Sequence, residues 1–149
     1  LGRSAAGMLD AGDFDRLAGL FPGVSSRGDA HRVRLMQRDD AATAFDAEYL
    51  SRREAAAEDL MLACRMTHGV GSDLLARAAN IIPADDLASA CDRALGLGLA
   101  TWVPDDVEGH VGRVTSRDVI AGRARARLAP THLGWLDGNV LFGLFWGLA

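Results

Sequence analysis

Five arginines fall within fifteen residues, at Arg113, Arg117, Arg123, Arg125 and Arg127, offset there only by Asp118. A guanidinium presents paired N–H donors that match a carboxylate or a phosphate. The run Arg123-Ala124-Arg125-Ala126-Arg127 alternates strictly, and in a strand alternate side chains share a face. Arg123, Arg125 and Arg127 are therefore candidate contacts for an anion such as a propionate or a phosphate backbone. A solvated strand face is the plainer reading of the same pattern.

The other reactive residue types do not assemble. His31, His68, His110 and His132 share no element and no metal-ligand spacing. Asp105, Asp106 and Glu108 make an acidic turn with too few ligands for calcium. Cys64 and Cys91 each fall on the apolar stripe of a predicted helix. They read as buried, reduced thiols, which points to a reducing cytoplasm. Gly2, Ser4 and Ala5, with Ala6 and Gly7, form a small-residue turn that lets a ligand approach backbone closely. No residue makes a catalytic site by itself.

The elements that must position these groups follow from composition and periodicity. The 149 residues suit one domain, or one domain with an arm. An apolar fraction of 49% is enough for a real core. The net charge of −4 gives no general attraction to nucleic acid or acidic membranes. No signal peptide is expected, and the apolar runs are too short and too glycine-interrupted to span a bilayer.

Ser51–Gly69 is the clearest element. Ser51 and Glu54 have capping-box spacing. Ala57, Leu60, Met61 and Cys64 follow at i, i+3, i+4 and i+7, predicting a helix over about 52–67 with Leu60 and Met61 in the core. Glu58 lies off that stripe. Gly69 is placed to end the helix. A second helix is expected after a Ser72 or Asp73 cap, with Leu74, Leu75, Ala78 and Ala79 inward. A third opens at Pro83 and buries Leu87, Ala90, Cys91, Ala94 and Leu95.

Strands are expected over 99–103, 110–115 and 123–129, and one more over 31–37. Residues 13–21 suggest a short helix, and 38–50 a mixed segment. Residues 131–149 are apolar nearly all round, more than one helix face can bury. Trp135, Phe142, Phe145 and Trp146 are candidates for a surface that meets a neighbouring domain, or a second copy when the chain is alone.

Three stretches resemble one family. LGRSAAGM at the start is similar to the glycine-rich turn late in the radical S-adenosylmethionine domain of oxygen-independent coproporphyrinogen III oxidases and their haem-chaperone relatives. Arg3 stands where that turn commonly has proline. AAEDLMLACRMTHGV resembles the opening of the family's C-terminal domain, with Glu58, Leu60, Met61, Arg65, Gly69 and Val70 in the motif positions. RLAPTHLGWLDGNVLFGLF resembles its close, with Arg127, Leu128, Gly134, Asn139 and Phe142 in place. The resemblance covers residues 52–149 and, more loosely, 1–10.

The resemblance implies an α+β fold: a three-helix, winged-helix-like domain over 51–149, with a small antiparallel sheet and a C-terminal helix. A mixed arm over 1–50, the remnant of a barrel end and linker, would precede it. It implies an accessory role in covering or recognising a tetrapyrrole, with a missing N-terminal barrel domain as partner. S-adenosylmethionine and a four-iron iron–sulfur cluster belong to that parent, and this fragment is expected to hold no cofactor and no catalytic residue. The alternative is a winged-helix module that binds nucleic acid or protein. The helix after Pro83 carries Asp85, Asp86 and Asp92 against Arg93, which disfavours nucleic acid.

Overall fold

A computed structural model describes residues 6–10, 15–16, 31–37, 45–105 and 113–149. The chain folds as two compact units, Leu1–Ala55 and Ala56–Ala149. Among the described residues the fold is mixed α+β, with six helices and two small antiparallel sheets.

The first unit is built on a three-stranded sheet in the order β1 (Ala6–Asp10), β2 (Arg32–Gln37), β3 (Phe45–Leu50). Both pairs are antiparallel; Gly7 faces Leu35 and Val33 faces Tyr49. Val33 and Leu50 are buried. Only β2 was predicted as a strand. Ala6 and Gly7, read as part of a turn, are in β1. Their low strand propensity is overridden by the ladder bonds that β2 supplies. The helix expected over 13–21 lies outside the described residues, apart from Asp15 and Arg16.

Helix α1 spans Arg52–Cys64. The Glu54 N–H donates to Ser51 Oγ at 3.2 Å, and the Ser51 N–H donates to Glu54 Oε2 at 2.7 Å. The Ser51 N–H first, and then the Ser51 hydroxyl, hold the Glu54 carboxyl below its usual pKa. Ala57, Leu60 and Cys64 are buried as the stripe requires. Met61 is only partly buried against the core, not central to it. The helix stops three residues early, because Arg65 and Met66 turn back to the carbonyls of Leu62 and Ala63. Gly69 then adopts φ +76°, and Val70 leaves in extended form.

Helix α2 covers Ser72–Ala78 and α3 covers Ala84–Gly96. The α2 cap position is Gly71, and Ser72 does not cap: its hydroxyl donates to Asp105 Oδ2. Of the predicted inward positions, Leu75 and Ala78 are buried, and Leu74 and Ala79 are half-buried. In α3 Leu87, Ala88, Ala90, Cys91 and Ala94 are buried; Leu95 is half-buried.

Strand β4 (Ala100–Pro104) pairs antiparallel with β5 (Ala126–Pro130), Trp102 opposite Leu128. Val70 adds an antiparallel bridge on the other side of β5, with its N–H 2.9 Å from the Leu128 oxygen and its oxygen 2.8 Å from the Leu128 nitrogen. The strand predicted over 123–129 is thus shifted to 126–130. The strand predicted over 110–115 is not present in its described part, Arg113–Thr115. Helix α4 (Ser116–Ile120) follows instead. Thr115 caps it, accepting from the Asp118 N–H at 3.2 Å and donating to Asp118 Oδ2 at 2.7 Å.

The apolar end is two helices, α5 (His132–Leu136) and α6 (Gly138–Trp146), broken at Asp137 with φ −111°, ψ 41°. The break lets the chain turn Leu141 and Phe145 inward, where both are fully buried beside Leu60, Leu75, Leu87 and Leu128. Phe145, read as a surface residue, is therefore core. Leu133, Trp135, Leu136, Val140 and Trp146 remain exposed.

Candidate functional site

Gly2, Ser4 and Ala5 lie outside the described residues. Arg123, Arg125 and Arg127 are exposed or half-exposed, but they do not share one strand face, since β5 begins at Ala126. Each meets a different internal acceptor. Arg123 Nε donates to Asp118 Oδ1 at 2.9 Å. The Arg125 guanidinium lies 3.7 Å from Asp73 Oδ1 and 3.8 Å from Asp105 Oδ2. Arg127 donates to the His68 carbonyl oxygen at 2.7 Å. Arg117, from α4, pairs with Asp85 of α3 at 2.8 Å. Exposed pairs like these contribute about 0–1 kcal/mol, so an incoming anion can displace them.

The Asp118 carboxyl is held below its usual pKa, first by the Thr115 hydroxyl and then by Arg123. Two serines at helix starts are buried, and each donates to a carboxylate of another element. Ser72 reaches Asp105, and Ser116 Oγ reaches Asp92 Oδ1 at 2.6 Å. These bonds fasten α2 to the end of β4, and α4 to α3. Neither serine has a histidine or lysine as its hydrogen-bond partner, so the pattern is structural rather than that of an activated nucleophile.

One cleft opens where these elements meet. It encloses about 370 Å³ and is lined by Ala79, Ala84, Asp85, Arg117, Ile120, Ala121 and Arg123. Arg117, read only as part of a charge run, and Arg123, a candidate anion contact, thus come together at one place with an apolar floor. Nothing in the sequence announces it, because α4, remote in the chain, must pack against the neighbouring helices α2 and α3 to build it. The helix that carries Arg117 did have a local signal, the Thr115-x-x-Asp118 capping spacing.

His31, His68 and His132 are exposed and scattered, while His110, Asp106 and Glu108 lie outside the described residues. No group of three metal-ligating side chains occurs among the described residues. Cys64 and Cys91 are buried and free, and burial pushes both thiols up to about 12. Trp102 Nε1 is buried without a hydrogen-bond partner among the described residues. No helix among the described residues is long and apolar enough to cross a membrane.

Several residues that carry the family resemblance are packing residues, while Asn139 is exposed. Arg65 lies over the Phe142 ring, 4.8 Å from its centroid. A Cβ on Gly69 would stand 2.2 Å from the Leu128 oxygen, and one on Gly134 1.9 Å from the Leu99 oxygen. Glu58, expected off the buried stripe, is 2% exposed. The chain matches no protein-family model, no curated protein and no solved structure.

Proposed function

We propose that the chain is the accessory C-terminal part of an oxygen-independent coproporphyrinogen III oxidase or a related haem chaperone. It helps to cover or recognise a tetrapyrrole, has no catalytic residue of its own, and works in the cytoplasm beside an N-terminal barrel. S-adenosylmethionine and the four-iron cluster are held by that barrel. The observation that carries the reading is the meeting of the two motif-bearing stretches. Arg65 and Gly69 of the first lie against Phe142 and Leu128 of the second. Residues so far apart need their given types only if the two segments are packed together, which supports reading both motifs as one domain.

The coding sequence upstream of Leu1 tests the reading. A C-x-x-x-C-x-x-C motif there is expected, and a parent chain without one overturns it. An absorbance titration with coproporphyrin III, read on the parent protein with and without residues 56–149, tests the tetrapyrrole role. Equal affinity in both rules out a contribution from this domain.

A second reading is a winged-helix module that binds nucleic acid or protein. The order α1, Val70, α2, α3, β4, α4, β5, with Val70 bridged to β5, supports a winged-helix-like arrangement in which α4 is inserted between the two strands. Helix α3 argues against duplex binding, because Asp85, Asp86 and Asp92 are exposed on it and repel phosphates. Retention of duplex DNA at physiological salt would favour this second reading over the first.

A further inference from the structure

We propose that the cleft between α2, α3 and α4 binds a small organic anion, a carboxylate on a short apolar stem. This goes beyond the domain reading above and does not depend on it. The volume of about 370 Å³ lies at the small end of ligand pockets. Its charged lining is two guanidiniums, Arg117 and Arg123, against one carboxylate, Asp85. Asp118, paired with Arg123, offsets the second guanidinium, so recognition rests on the guanidinium N–H donors rather than on net charge.

Both arginines spend a single nitrogen on a protein partner, Arg117 on Asp85 and Arg123 on Asp118. Their remaining N–H donors meet no acceptor among the described residues, and a carboxylate accepts two such bonds side by side. The Arg117–Asp85 pair is 71% and 75% exposed, so it gives way at little cost. Ala79, Ala84, Ile120 and Ala121 form an apolar floor. A few methylenes fit there and a bare inorganic ion leaves it uncovered, which sets the ligand class. Asp85 sets the limit: its carboxylate competes with the ligand for Arg117.

The test is a titration of the 149-residue chain with sodium butyrate, followed by amide NMR, with sodium phosphate as a parallel arm at matched ionic strength. Saturable shifts are expected at Ala79, Ala84 and Ala121, with phosphate binding more weakly at the same amides. Arg123→Gln should weaken butyrate about tenfold, the loss of a charge-assisted bond. Asp85→Asn should tighten it. Arg123 and Asp85 are both exposed, so unchanged shifts elsewhere establish that each variant folds. No saturable shift overturns the proposal, as does unchanged affinity in folded Arg123→Gln. Phosphate binding as tightly as butyrate overturns the organic ligand class.

Discussion

The Arg65 guanidinium stacks 4.8 Å over the Phe142 ring, joining the loop after α1 to the middle of α6. Arg65 is exposed and Phe142 half-buried, so the contact is screened by water. Such cation–π pairs contribute about 0.5–1 kcal/mol at exposed sites. A double-mutant cycle with Arg65→Gln and Phe142→Leu, read by urea unfolding, should return a coupling of that size. A coupling of zero would mean the stack is incidental.

The glycines of the terminal segment should respond in opposite directions. Gly134 cannot hold a Cβ without meeting the Leu99 oxygen. Gly134→Ala must push α5 off the sheet and is expected to cost more than about 3 kcal/mol, as severe overpacking does. Gly143 sits in α6 with open space around it. Gly143→Ala should stabilise by about 0.5–1 kcal/mol, through helix propensity. Thermal melts of the two variants separate the effects.

Leu60 and Met61, adjacent in α1, should also differ. Leu60 is fully buried and Met61 only partly so. Leu60→Ala should cost about 2–5 kcal/mol, and Met61→Ala clearly less. Denaturant unfolding of both checks this. Equal costs would contradict the burial of the stripe.

The two thiols give a pH dependence. Folded-state values of about 12 stand above the ordinary 9.0, because burial penalises the thiolate. Above pH 9 the unfolded chain releases thiol protons that the folded chain keeps. Stability should therefore be intact below pH 9 and fall as the pH rises from 9 to 12. Cys64→Ala and Cys91→Ala should flatten this loss. Alkylation by iodoacetamide near neutral pH, slow against reclosing, should proceed in proportion to the population of the unfolded state.

Much of the second unit was legible in the sequence, since a capped helix with an apolar stripe needs only local information. The three helices from Arg52 to Gly96 and the strand from Ala100 are where periodicity puts them. Glu58 was not legible. It sits beside Ala57 at the edge of the stripe, and residue type alone assigns a carboxylate to water. The Arg/Ala alternation misled for a related reason. The ladder with β4 begins at Ala126, so Arg123 and Arg125 turn toward nearby carboxylates instead. Strands β1 and β3 depend on pairing with β2, which no local pattern encodes.

The bridge between Val70 and Leu128, and the neighbouring Arg127–His68 bond across 59 residues, have a kinetic meaning. Closing that span costs chain entropy before any strand contact offsets it. The helices between can form early from local contacts, and β5 must find Val70 late. Val70→Ala should therefore raise the unfolding arm of a chevron plot and leave the refolding arm nearly unchanged. A refolding rate that falls in step with stability would place the Val70–Leu128 pairing in the nucleus instead. With late pairing, partly folded chains carry Leu128 and its neighbours as an open strand edge, a template for joining another chain.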